Sequence, residues 1–92
     1  ALQKLICDLF NVKWSQVVMF SRKRKYVEPR QAYFYAAVKI LGKKSSHIGK
    51  DIGRHHTTVI HSVETIEDLL FVNDPISEKV KIIQDKLTHA QD

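Results

Sequence analysis

The run Ile48-Gly49-Lys50-Asp51-Ile52-Gly53-Arg54-His55-His56-Thr57-Thr58-Val59-Ile60-His61 constrains the fold more than any other segment. Ile48 and Ile52, four residues apart, put one apolar face on a short helix. Gly53 supplies the positive φ of a tight turn, and His-His-Thr-Thr makes a polar start to a longer helix. A polar helix start behind a tight turn is what a helix-turn-helix inserts into the major groove, with its first residues on base edges and its hydroxyls near phosphates. The run predicts such a unit over about 46–72.

The remaining apolar residues follow helical spacing. Leu2, Leu5, Ile6, Leu9 and Phe10 predict an amphipathic helix over about 2–10, which Asn11 ends. A short helix carrying Val17, Val18 and Phe20 follows, capped by Ser15 or starting at Lys13. Residues 21–27 are too charged to pack and are read as an exposed basic loop. Pro29 suits the first turn of a third helix, where its missing N–H costs nothing. Phe34, Ala37, Val38 and Leu41 mark the buried stripe of that helix, and Gly42 is its left-handed stop. Ser45 or Ser46 would cap the short helix that carries Ile48. Val59, Val63, Ile66, Leu69 and Leu70 line one face of the long helix to about Val72. Asn73-Asp74-Pro75 separates it from a last helix with the seam Ile76, Val80, Ile83 and Leu87. Nothing reads as a strand, so the expectation is one all-α domain of six helices over 1–92.

Charge is placed unevenly. Residues 21–54 hold ten basic side chains against two acids, whereas the rest of the chain holds five against eight, for a net +5. A basic block that coincides with a helix-turn-helix is the electrostatic footprint of a polyanion-binding face. No apolar run approaches the roughly 20 residues that span a bilayer, so no membrane partner is expected. Cys7 is the lone cysteine, which excludes an intrachain disulfide and a CxxC metal pair. His55, His56 and His61 lack the i, i+4 spacing of a zinc helix, so no metal or cofactor is expected. There is no phosphate-binding GxxxxGK[ST] loop and no nucleophile-elbow motif, so the chain is not read as an enzyme. The first residue is Ala1 rather than methionine, as expected of a piece of a longer protein.

Three segments in order resemble the C-terminal, DnaA-box-binding domain family of the bacterial replication initiator DnaA. Ser21-Arg22-Lys23-Arg24 followed by Val27-Glu28-Pro29-Arg30-Gln31 resembles the basic loop of that family and the Pro-Arg-Gln opening its central helix. Ser46-x-Ile48-Gly49 resembles its first helix-turn-helix element. His56-Thr57-Thr58-Val59-Ile60-His61 resembles its Asp-His-Thr-Thr-Val-x-His signature. Here Gly53-Arg54-His55 replaces the usual Gly-Gly-Arg-Asp, so the turn is one residue shorter and a histidine stands where the family has its base-reading aspartate.

The resemblance implies a Trp-repressor-like arrangement of the helix-turn-helix and double-stranded DNA as partner. It implies base reading by Arg22 in the minor groove and by His55, His56 and Thr57 at the helix start. Arg30, Arg54 and Thr58 are implied as phosphate contacts, with Lys43, Lys44 and Lys50 as backbone neighbours. It further implies a longer parent with a separate ATPase domain and a bacterial, cytoplasmic, nucleoid-associated location. A transcriptional or mobile-element regulator using the same domain is the alternative, and a helical protein-interaction module is a third reading. Two lesser expectations concern the surface. His61 is read as flanking the core, and at least one of the consecutive Tyr33, Phe34 and Tyr35 should be exposed.

Overall fold

Among the described residues six α-helices form, in the order and near the positions that the apolar spacing predicts. The computed structural model describes residues 2–90. Its elements are α1 (Leu2–Phe10), α2 (Trp14–Val18), α3 (Arg24–Tyr35), a π-helical turn continuing α3 over Ala36–Ile40, α4 (Ser45–Asp51), α5 (His56–Phe71) and α6 (Ile76–Ala90). Among the described residues there is no strand. The terminal residues of the expected 1–92 span, Ala1, Gln91 and Asp92, lie outside the described residues.

The core is built from the predicted stripes. Leu2 and Ile6 of α1, Phe34 and Ala37 of the central helix, Ile48 of α4, Val59 of α5 and Ile83 of α6 are buried in one cluster. Ile66, Ile76 and Val80 close a smaller cluster between α5 and α6. The radius of gyration is 12.1 Å, close to the ~12 Å expected for a single compact domain of this length.

α3 differs most from expectation. It begins at Arg24, so Pro29 is not in its first turn but inside the helix, fully buried. The extra turn forms because Tyr26 and Val27 N–H both bond the Lys23 carbonyl at 2.9 Å. Arg24 also pairs with Glu28 at 3.1 Å one turn on, and Tyr26 and Val27 turn partly inward while Arg24 and Lys25 stay exposed. The exposed basic loop therefore shrinks to residues 19–23, and Arg24 and Lys25 are helical. Helices pack around α3 on several sides, which buries Tyr33 and Phe34 and half-buries Tyr35, so none of the three consecutive aromatics is exposed. Trp14 packs edge-on to Tyr33, with ring centroids 4.9 Å apart. At the C-terminal end of this helix the Leu41 N–H reaches back five residues to the Ala36 carbonyl at 3.0 Å, and Gly42 then stops it at φ 71°.

Of the two short helices, α2 takes the Lys13 start in place of a Ser15 cap, and α4 differs at its cap. α2 starts after Lys13, whose N–H donates to Gln16 Oε1 at 2.9 Å, and it ends at Val18, leaving Phe20 outside the helix. α4 is preceded by Lys44 as its N-cap, in place of Ser45 or Ser46. α6 follows the expected Asn73-Asp74-Pro75 break. Asn73 is left-handed at φ 57°, and Asp74 Oδ1 accepts from the Ile76 N–H at 3.0 Å.

Candidate nucleic-acid interface

α4, the turn and α5 form the helix-turn-helix. Gly53 adopts φ 69° with open space around it, the left-handed turn position that glycine occupies without strain. Gly49 serves a different need. The Arg54 N–H donates to the Gly49 carbonyl at 2.7 Å, and a β-carbon at Gly49 would lie 2.5 Å from the Arg54 carbonyl oxygen. The turn can fold against α4 only because that position has no side chain.

His55 is the N-cap of α5. Its Nδ1 accepts from the Thr57 N–H at 3.2 Å and lies 2.7 Å from Thr57 Oγ1. The imidazole thus takes the acceptor role that Asp, Ser or Asn plays at most N-caps. Because Nδ1 accepts, the neutral ring carries its proton on Nε2, which makes that atom a donor. The His56 ring lies 4.3 Å from that of His55, and His55, His56, Thr57 and Thr58 are all exposed at the helix start. His61 is exposed as well, on the outer surface of α5 and not flanking the core. It lies four residues beyond Thr57, on the same helical face.

The loop before α3 is tied to this unit by two arginines. Arg30 donates through Nε to the Val17 carbonyl at 2.7 Å, through Nη2 to the Met19 carbonyl, and through both Nη atoms to the Ser21 carbonyl at 3.4 Å. Arg54 donates through Nη2 to the Val18 and Met19 carbonyls, each at 2.9 Å, and through Nη1 to the Ile52 carbonyl at 3.3 Å. The bonds to the Val17, Val18 and Met19 carbonyls satisfy groups that α2 leaves free at its C-terminus, where cations are favoured. Burial, and secondarily the neighbouring Arg54 charge, lowers the Arg30 pKa from its ordinary value. Arg30 and Arg54, expected as phosphate contacts, therefore spend most of their donors on the chain itself. Arg22 and Lys23 stay exposed in the held segment, and Ser21 Oγ accepts from the Lys23 N–H at 3.1 Å.

Lys43 and Lys44 are exposed and line an open depression of about 470 Å³ with Gly42, His47, Ile48 and Asp51. Lys50 is exposed on the last turn of α4. Of the ten basic groups in 21–54, Arg24 pairs with Glu28 and Lys39 with Glu67 at 3.6 Å. Glu64, Glu67 and Asp68 are exposed, two turns and more past the start of α5, roughly 12 Å along its axis.

Three features escaped the sequence reading. Phe20, placed on a helix, is 80% exposed in the loop, with the Arg54 guanidinium 4.0 Å from its ring centroid. His47 joins the lysines of the depression. Gly49 is required by close approach, which no local pattern announces. Among the described residues, no group of histidines, cysteines and carboxylates could hold a metal ion, and no helix is long and apolar enough to cross a membrane.

Comparison with known proteins gives a consistent family. The initiator DnaA of Ruegeria pomeroyi is 32% identical over 84 residues, covering 90% of this chain and 18% of that protein. DnaA of Ehrlichia ruminantium (strain Gardel) is 34% identical over 83 residues, covering 89% and 18%. DnaA of Agrobacterium fabrum is 32% identical over 84 residues, covering 90% and 17%. The chain thus spans less than a fifth of the length of these relatives. Residues 1–66, the helices up to and including the first two-thirds of α5, match the family model of the bacterial DnaA protein helix-turn-helix. This chain belongs to the bacterial DnaA helix-turn-helix family.

Proposed function

We propose that the chain binds double-stranded DNA sequence-specifically, as an origin-recognition domain of the replication-initiator type. The observation that carries the reading is the physical joining of two elements. The exposed polar start of α5 and the exposed loop with Arg22 are held together through Arg54, whose own turn leads into α5 and whose guanidinium grips the loop. One rigid unit thereby offers a recognition helix for the major groove and a basic arm for the neighbouring minor groove. His55, His56 and Thr57 face the bases. Thr58, Lys43, Lys44 and Lys50 face phosphates, to which His47 is a neighbour. Arg30 and Arg54 add positive charge while positioning the arm.

The relatives described above are all replication initiators, which favours initiation over a regulator built on the same domain. In that reading the chain is a non-enzymatic piece of a longer bacterial protein, ATP hydrolysis belongs to a neighbouring domain, and the workplace is the nucleoid. Selection of bound duplexes from a random library tests the specificity. A salt titration on the selected site tests the electrostatics. Each phosphate contact contributes about −0.9 to the slope of log K against log salt, so several lysines and Arg22 give a slope of roughly −3 to −6. A flat response overturns the reading. Arg22→Ala should relax preference at one A·T-rich end of the site, because a guanidinium reads the potential of a narrow minor groove; unchanged preference there removes Arg22 from the readers.

A further inference from the structure

We propose that Phe20 is a positioning residue for the minor-groove arm: its ring, stacked on the Arg54 guanidinium, locks the loop to the helix-turn-helix turn and sets where Arg22 enters DNA. The inference rests on the DNA-binding reading above and deepens it.

The geometry singles out this residue. Arg54 sits between two partners. On one side it donates to the Val18 and Met19 carbonyls at 2.9 Å, and on the other the Phe20 ring centroid lies 4.0 Å from its guanidinium carbon. That distance is well within the range of a cation–π contact. An 80% exposed phenylalanine has little apolar burial to hold it, so the contact with Arg54 is its main anchor. Phe20 lies between the two carbonyls, of Met19 and Ser21, that Arg30 also holds. The backbone on both sides of Phe20 is thus pinned, and its side chain closes over the arginine that pins it. Arg22 follows two residues later, within about 7 Å of chain. An arm anchored that close to its tip presents a guanidinium over a small volume, and so spends less ordering entropy on entering the groove than a free loop does.

The arm joint predicts separable effects on the free protein and on the complex. In the free protein, trypsin cleavage within Arg22–Lys25 reports opening of the loop. Where closing is fast, cleavage follows the open population. Phe20→Ala should speed it about two- to fivefold, the factor that an exposed cation–π contact corresponds to, at an unchanged melting temperature. Phe20→Tyr keeps a ring for the guanidinium and should cleave at the parent rate. On DNA, Phe20→Ala should reduce the penalty for an A·T to G·C change at the Arg22 end of the selected site from about fivefold or more to about twofold. Discrimination at bases under the α5 start should be retained, and Phe20→Tyr should restore the lost penalty. Equal cleavage rates in parent and Phe20→Ala overturn the joint whatever the DNA results. Discrimination lost equally at both ends, or at neither, overturns the positioning role. A parent that cleaves as expected but binds no duplex overturns the DNA reading, and with it the role of the joint in DNA entry, while leaving the joint itself measured.

Discussion

In the proposed function, His55 combines a structural task with a base-reading one. Nδ1 caps α5 through the Thr57 N–H, which leaves Nε2 as the donor available to a base edge. A donor there suits the acceptors N7 and O6 of guanine or O4 of thymine. Aspartate would cap with one oxygen and present the other as an acceptor only, which suits the cytosine amino group and repels guanine. His55→Asp should therefore move the preferred base at one position toward cytosine, with a discrimination of about 1–3 kcal/mol at most. Because aspartate is a strong N-cap, stability should be unchanged or raised by up to about 1 kcal/mol. Binding to duplexes varied at every position, together with urea denaturation, checks both halves. An unchanged preference throughout assigns specificity to His56, Thr57 and Arg22.

At the scale of elements, the closeness of α4 to the turn is decisive. A β-carbon at Gly49 meets the Arg54 carbonyl oxygen at 2.5 Å, and backbone cannot yield as the tip of a flexible side chain does. Gly49→Ala should cost about 1–3 kcal/mol, the range for forced overpacking, read as a lower urea midpoint at constant slope. Displacing Arg54 would also loosen its hold on the Val18 and Met19 carbonyls, so the arm should become more sensitive to trypsin in the same variant. An unaltered midpoint would mean that the turn swings clear of α4 at no cost. The early start of α3 belongs to this scale too. Helical turns before Pro29 shorten the free loop to five residues, short enough for two arginines to hold.

For the whole molecule, the titrating groups packed around the core predict an alkaline limit. Burial first raises the Tyr33 phenol above its ordinary value of 10.0, a hydrogen bond with Gln3 opposes this, and Asp51 adds to the rise. Burial and then Asp8 push the Cys7 thiol above 9.0. Both groups hold their protons longer in the folded chain than in the unfolded one. Their stability contribution is therefore complete below those ordinary values and is lost as pH rises through the higher folded ones. The melting temperature should fall in that alkaline range, and Tyr33→Phe, which keeps the ring against Trp14, should fall less. Identical alkaline profiles for the two proteins would remove Tyr33 as a cause.

Local chemistry in the sequence was enough to determine the number and order of the helices, the apolar stripes that supply the core, the turn at Gly53 and the break at Asn73-Asp74-Pro75, because periodicity and left-handed positions are written in neighbouring residues. The family was legible for the same reason, in three short motifs with their spacing. Tertiary structure alone decided what Arg30, Arg54, Phe20 and Gly49 do. Arg54 meets carbonyls 35 and 36 residues away in the chain, and the need for glycine at position 49 comes from a backbone folded back from the turn. The same distant packing explains why Tyr33 and Phe34 are covered together. Charge and propensity are properties of a segment, but the partner that satisfies a guanidinium or crowds a β-carbon exists only once remote segments have met.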